Sequence, residues 1–209
     1  QIMKKILTTI FATALAFSAY ANDIYVTQSG DTLDLDITQD GSNNTVGNST
    51  TASSSVGSTT TLNIDQVGGS NVLTYQINGA SFTGTFDVTG SSNDIDFNCD
   101  TGGSNSSCGT VTASITMVGD SNDVDLDIGL TSDASNSTAT ITSRITVDGD
   151  TNNWLIDIDG NGDVAGHTLI MSHTGGIADV DIVQSGVNDN YINLTTSGDN
   201  ADIDISQTD

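Results

Sequence analysis

The stretch Leu62-Asn63-Ile64-Asp65-Gln66-Val67-Gly68-Gly69-Ser70-Asn71-Val72-Leu73-Thr74-Tyr75 decides the fold. Leu62, Ile64 and Gln66 alternate with Asn63, Asp65 and Val67, the period of two expected of a strand with one buried face. Gly68 and Gly69 interrupt the pattern, and alternation resumes at Asn71, Leu73 and Tyr75. Gly beside Ser and Asn reads as a tight turn, in which Gly supplies positive φ without steric penalty. The unit is therefore strand, glycine turn, strand.

The same unit recurs on both sides of this stretch, at residues 24–37, 36–46, 86–97, 115–128, 145–158, 180–194 and 195–207. Its glycines are Gly30, Gly41, Gly68, Gly79, Gly90, Gly119, Gly149, Gly160, Gly175, Gly186 and Gly198. Several neighbours are evenly spaced: Gly30 to Gly41, Gly68 to Gly79 to Gly90, Gly149 to Gly160 and Gly175 to Gly186. Each run of alternation makes a strand of about 20 Å. No Pro is present, so no position lacks a backbone donor. A single unit cannot bury its apolar side, whereas stacked units share a continuous core. The fold class that follows is all-β: a β-solenoid of stacked strand-turn-strand rungs, about 22 residues per rung, with loop insertions. Roughly seven or eight rungs at ~4.8 Å each give a rod about 35 Å long. An antiparallel sandwich that turns at each of these glycines is the structural alternative. Val26, Leu35, Ile37, Leu73, Val124, Leu126, Ile156 and Ile182 share parity relative to the glycines and form the expected core.

The N-terminal segment reads differently. Lys4 and Lys5 precede the apolar run Ile6 to Phe17, and Ala19-Tyr20-Ala21 has the small-x-small pattern cut by signal peptidase. Residues 1–21 are expected to be a signal peptide, with an uncleaved anchor as the alternative, and residues 22–209 a single solenoid domain. The run is too short to span a bilayer comfortably, so no membrane span is expected after residue 21. The chain has 3 Lys+Arg against 27 acids, all Asp. Cleavage would leave Arg144 as the sole cation and a net charge of −26. Nucleic acid as a partner is excluded, because neutralising phosphates needs a Lys/Arg footprint. High charge with few aromatics also marks disordered chains. The sustained alternation opposes that reading, although the Ser/Thr-rich run 48–61 keeps it open locally.

Gln39-x-Gly41-x-x-Asn44 and Gln66-x-Gly68-x-x-Asn71, with partial copies at Gln28-x-Gly30 and Gln184-x-Gly186, resemble the curlin repeat of curli fibre subunits. The glycine and asparagine of that pattern also stand at Gly90/Asn93, Gly119/Asn122 and Gly149/Asn152. The resemblance implies stacked Gln and Asn ladders and a subunit of an extracellular bacterial biofilm fibre that polymerises with itself. It further implies secretion through an outer-membrane pore, a nucleating partner and a cell-surface location. The chain departs from the family where Ile77, Val88, Met117, Val147, Ile158 and His173 replace the Gln, and the insertions after Asn44 and Phe97 break the period.

Candidate chemistry is sparse. Asp-x-Asp pairs recur at Asp34/Asp36, Asp94/Asp96, Asp125/Asp127, Asp157/Asp159, Asp179/Asp181 and Asp202/Asp204. Stacked in register they would line up about 5 Å apart, where like charges repel and hard oxygen ligands suit Ca²⁺. Asp125, Asp127, Asp157 and Asp159 are the candidate Ca²⁺ ligands; a solvated acidic face is the alternative. Beyond Ca²⁺ no cofactor is expected. Cys99 and Cys108 suggest a disulfide clip on a short loop, contributing about 2–3 kcal/mol. His173 stands at a Gln position and is expected to cap a ladder; with His167 it lacks the neighbours for a zinc site. Trp154 and Tyr191 are expected in the core or at a rung edge. Ser and Asp abound, but no nucleophile elbow accompanies them, and the chain does not read as an enzyme. The rival to a fibre subunit is a monomeric secreted solenoid, an adhesin or an ice-binding module, pointed to by Thr59–Thr61 and Thr138–Thr142. That reading needs Thr at one repeated rung position, and the sequence shows Thr on turns and strands alike.

Overall fold

The computed structural model describes residues 22–48, 50–99, 110–128, 140–159, 167–185 and 190–208. The segment 1–21, Cys108, Gly160 and Gly186 lie outside the described residues. Thirteen strands follow one another: β1 (Asn22–Ile24), β2 (Thr27–Ser29), β3 (Thr32–Asp40), β4 (Asn44–Val46), β5 (Ser53–Val67), β6 (Ser70–Thr89) and β7 (Ser92–Cys99). They continue as β8 (Thr110–Val118), β9 (Ser121–Ile128), β10 (Thr140–Asp159), β11 (Thr168–Ser185), β12 (Tyr191–Ser197) and β13 (Asn200–Thr208). No helix occurs among the described residues.

Every strand pairing is parallel, and each segment lies on the segment one turn earlier, the definition of a β-solenoid. Asn22, Asn44, Asn71, Asn93, Asn122, Asn152, Ala178 and Ala201 stand in one column. The steps along it are unequal: Asn44 lies 22 positions after Asn22, whereas Asn152 lies 30 after Asn122. The expectation of a constant rung is therefore corrected, because the expected rung length is the shortest one seen and most turns are longer.

Each turn has two arms. One arm contains β3, the second half of β5, the second half of β6, β8, the first half of β10, the first half of β11 and β12. The other contains β1, β4, the first half of β6, β7, β9, the second halves of β10 and β11, and β13. The two corners joining the arms are unlike. The corner between the Gln39 column and the Asn44 column has the same length in each of 39–44, 66–71, 88–93, 117–122 and 147–152. Length variation falls elsewhere: residues 47–52 are inserted within an arm, between Val46 beside Leu73 and Ser53 beside Tyr75, and the other extra residues separate Cys99 from Thr110, Ile128 from Thr140 and Asp159 from Thr168. Gly30 and Gly79 therefore lie in one corner and Gly41, Gly68, Gly90, Gly149 and Gly175 in the other, so these glycines do not mark one repeated turn.

The fixed corner is tight because turns stack there backbone on backbone. A Cβ added at Gly68, Gly90, Gly119 or Gly149 would lie 1.6–2.1 Å from the carbonyl oxygen of the corner glycine one turn earlier. None of these four has positive φ, so the expectation that each supplies a left-handed turn residue is corrected. Left-handed backbone occurs at Gly47 (φ 66°) and Asn43 (φ 58°) instead. What the four positions require is the absence of a side chain.

Alternation places one set of side chains from both arms into a single core. Ile37, Leu73, Val124, Leu126, Ile156 and Ile182 are buried as expected. Val26 and Leu35 are only half-buried, a correction with a simple cause: they belong to the first described turn and have a neighbouring turn on one side only. Phe82, Phe86 and Phe97 form an aromatic cluster with centroids 4.8–6.3 Å apart. Gly84 makes room for it, since a Cβ there would sit 2.3 Å from the Phe82 ring. Of the two residues expected in the core or at a rung edge, Trp154 is fully buried, whereas Tyr191 opens β12 and is 52% exposed in the outward-facing column of Thr168.

Candidate functional site

Four features distinguish this solenoid: an internal amide ladder, an acidic face, a threonine face and two terminal turns that pair on one side only among the described residues. The ladder lines the fixed corner. Asn22 Nδ2 donates to Asn44 Oδ1 (3.2 Å), Asn44 to Asn71 (2.9 Å), Asn71 to Asn93 (2.8 Å), Asn93 to Asn122 (2.7 Å) and Asn122 to Asn152 (2.8 Å). Most of these amides also donate to the carbonyl of their own corner glycine, as Asn93 does to Gly90 O at 3.3 Å and Asn122 to Gly119 O at 3.1 Å. The G-x-x-N spacing is thus a local motif in which Asn satisfies its own turn and the next one.

Asn152 Nδ2 reaches His173 Nε2 at 2.7 Å. The amide is the donor, which puts the imidazole proton on Nδ1, and burial lowers the His173 pKa against a smaller opposing effect of Asp148. A neutral His173 therefore ends the ladder as an acceptor, with Ala178 next in the Asn column.

Glutamine occupies two columns, not one. Gln39, Gln66, Val88, Met117, Val147, His173 and Thr196 form the first. In it Gln66 Nε2 donates to Gln39 Oε1 (2.8 Å), and Gln39 Nε2 donates to Asn22 O and to Thr45 O. Gln28, Ser55 and Ile77 begin the second, and Ile158, Gln184 and Gln207 end it, with Gln207 Nε2 donating to Gln184 Oε1 at 3.0 Å. Ile77 and Ile158 thus replace Gln in a different column from Val88, Met117 and Val147. Sequence reading missed Asn22, which adjoins the expected cleavage site, and Gln207, which lacks the following glycine.

The acidic face is the outer surface of the arm containing β7, β9 and β13. Asp94 pairs with Asp123, Asp96 with Asp125, Asp127 with Asp157, Asp179 with Asp202 and Asp181 with Asp204. Asp34 and Asp36 do not join it; they lie on the other arm beside Thr61 and Asn63. Asp159 is in register with Ser185, and its side chain lies outside the described residues. Desolvation by burial, then Asp127, Asp96 and Asp123, raises the Asp125 pKa to about 6. Asp94, Asp96 and Asp127 are raised as well, chiefly by burial. Asp94, Asp96, Asp123 and Asp125 line an open groove of about 450 Å³, with Asn48 at its rim. Among the described residues no three His, Cys, Asp or Glu converge as metal ligands.

The sign of the pH dependence follows. A carboxyl whose folded pKa exceeds its unfolded value stabilises the fold fully below the unfolded pKa, and that contribution is lost as pH rises through the folded pKa. For Asp125 the window runs from the ordinary value of 3.8 to about 6. The melting temperature is expected to be higher at about pH 5 than at about pH 7.5, with Asp125→Asn reducing the difference. Calorimetry across that range checks this; a profile flat or rising toward neutral pH counts against it.

The threonine face is the outer surface of the other arm. Thr61, Thr83, Thr112, Thr142 and Thr168 form one column, flanked by Thr32, Thr59, Ser81, Thr110 and Thr140. Thr does fall on turns and strands alike, as Thr50 and Thr51 and the strand residues Thr38 and Thr45 show, but the structure adds one rung position at which it repeats. Thr60, between two outward threonines, points inward and is buried. Cys99 is disulfide-bonded; the chain's other cysteine is Cys108.

Scanned against protein-family models the chain matches none, and searches of curated proteins and of solved structures likewise return no match.

Proposed function

We propose that the chain is the structural subunit of an extracellular, curli-like fibre that grows by stacking solenoids end to end. The observation that carries this reading is the state of the two ends. β1, β2 and β3 begin the stack and β12 and β13 finish it, and each pairs on one side only among the described residues. The core is half-open there: Ile24, Val26, Leu33 and Leu35 at one end, Ile192, Leu194 and Ile203 at the other, are partly buried, and Ile205 is 48% exposed. Unpaired strand edges over an uncovered apolar interior template the addition of another copy.

Continuing the columns sets the register of the joint. Gln207 of one copy falls over Gln28 of the next, Ile203 over Ile24 and Ile205 over Val26. Both glutamine pairs direct Nε2 toward the N-terminal end of the stack, so the next copy's Gln28 is oriented to donate to Gln207 Oε1. Asp204 meets Tyr25 and Tyr191 meets Asp34, which gives each half-exposed end tyrosine a carboxylate acceptor. Asp202 meets Asp23, an unfavourable pair that makes assembly sensitive to charge. Secretion to a bacterial surface through an outer-membrane pore, and nucleation by a partner, belong to the same proposal and rest on the curlin-like motif.

At neutral pH and about 0.01 M salt the Debye length is about 30 Å, so whole acidic subunits repel. Fibre growth followed by thioflavin T and electron microscopy is expected to accelerate toward the pI of about 4.1. Replacing Asp125 and Asp127 together with Asn should accelerate growth in low salt. If the acidic face holds Ca²⁺, millimolar Ca²⁺ accelerates growth beyond a monovalent salt of equal ionic strength, and less so in that variant. Growth indifferent to pH, salt and these substitutions removes charge control; failure to form fibres under every condition removes the fibre.

A further inference from the structure

Only the two ends of the threonine column, Asp34 and Tyr191, take part in the joint, and the composition between them is unlike the rest of the surface. In a chain with 27 Asp, no carboxylate stands in the column from Thr61 through Thr83, Thr112 and Thr142 to Thr168, nor beside it in Thr59, Ser81, Thr110, Thr140; Asp34 precedes Thr61 in that column, in the first described turn. The next column along the strand runs Asp36, Asn63, Thr85, Ser114 and Arg144, and Asp65 and Asp87 stand in the column beyond. Thr59, Thr83 and Thr112 are exposed, and Thr61 and Ser81 half-buried.

The geometry of this array is set by the solenoid. Parallel in-register turns place equivalent residues about 4.8 Å apart, and residues i and i+2 about 7 Å apart along a strand. At Thr59, Thr61, Ser81, Thr83 and Thr112 the result is a two-dimensional lattice of side-chain hydroxyl groups, most with a methyl beside them, close in both directions to oxygen repeats in hexagonal ice. Thr is suited to such a lattice because β-branching leaves few χ1 rotamers, so little side-chain freedom is lost when water orders against it. Its methyl excludes disordered water while its hydroxyl holds ordered water, and bridging waters bind nearly as well as direct contacts.

We propose that this face binds ice, as a lattice of neutral water molecules. Charge favours that partner: from Thr59 to Thr168 these two columns hold no carboxylate, which suits an uncharged lattice, whereas the acidic arm would bring its own tightly held hydration. A crystalline polysaccharide is the nearest competitor, but flat sugar rings are commonly held by aromatic side chains. None stands in these two columns from Thr59 to Thr168, and Tyr191 lies at the end turn. The inference is independent of the fibre, since the face points outward in a single copy and in a stack.

The test is ice-crystal morphology and the gap between freezing and melting points, measured by nanolitre osmometry on the full chain. Soluble and assembled fractions are measured separately, so that failure to form fibres does not affect the reading. Faceted crystals and a measurable gap are expected. Thr83→Tyr with Thr112→Tyr should abolish both, Thr83→Ser with Thr112→Ser should weaken both, and Asp179→Asn on the acidic arm should change neither. Circular dichroism confirms that each variant remains folded, and the exposed serine pair keeps the test available if the tyrosine pair does not fold. Unshaped crystals with the unmodified chain overturn the proposal. So does full activity in the threonine variants, or adsorption to microcrystalline chitin or cellulose without any effect on ice.

Discussion

Gly119→Ala is expected to lower stability by about 3 kcal/mol or more, and the melting temperature by roughly 10 °C. The added Cβ would lie 1.7 Å from the carbonyl oxygen of Gly90 and 2.8 Å from Asn93 Nδ2. The first obstacle is backbone of the adjacent turn, which no rotamer change moves. Relief requires the two turns to separate at the fixed corner, which lengthens strand hydrogen bonds and the Asn93–Asn122 contact together. Gly69→Ala is the control: it sits in the same corner two turns earlier and its Cβ would meet nothing within 4 Å. That variant should be neutral or slightly stabilising, through the reduced freedom of the unfolded chain. Thermal unfolding of the pair separates stacking clearance from any general need for glycine in these turns. Equal effects would contradict the stacking account.

Asn93→Asp is expected to cost about 3 kcal/mol or more at neutral pH, although it changes one atom of the side chain. Asn93 Nδ2 donates to Gly90 O, Val118 O and Asn122 Oδ1, and Asn93 Oδ1 accepts from Asn71. A carboxylate would put an acceptor in place of the donor that faces three acceptors inside a buried column, leaving groups unsatisfied and a charge desolvated. The new carboxyl would have its pKa raised in the fold. Its penalty should therefore shrink as pH falls toward the ordinary carboxylate range, because the protonated acid regains one donor. Urea unfolding at about pH 7 and about pH 4.5 measures both parts. A loss below about 1 kcal/mol at neutral pH would show that the ladder is incidental to stability.

The arms of the fold were legible because alternation writes burial directly into the sequence. Leu62, Ile64, Leu73 and Tyr75 are buried, while the half-burial of Val26 and Leu35 depends on how many turns flank them. Corner identity was less legible. Gly41 and Gly30 look alike in sequence, yet they lie in different corners, and only the column that follows Gly41 stacks glycine against the backbone of the turn before. The glycines were legible as turns but not as clearances, because close approach is a property of neighbouring turns. Column membership was hidden for the same reason: Ile77 and Val88 both replace Gln on one strand, β6, whose first half belongs to one arm and whose second half belongs to the other. The threonine face illustrates this most clearly, since Thr61, Thr83, Thr112, Thr142 and Thr168 are separated by unequal steps and align only once register is known. The carboxylate pairs on the acidic arm were legible in type, but Asp34 and Asp36 belong to the other arm.

The end-to-end joint is tested most directly by cross-linking two variants across it. Asp23→Cys in one preparation and Asp202→Cys in another each place one thiol on an exposed outer position. The proposed register brings those positions to the spacing of adjacent parallel strands, about 4.8 Å, within the Cα separation a disulfide spans. The two preparations are mixed, assembled near the pI and oxidised mildly. Covalent heterodimers are then expected on a non-reducing gel, and neither preparation alone should give them. Monomers only, from a mixture concentrated under assembly conditions, would contradict the account of this chain as a subunit that continues its own solenoid into the next copy.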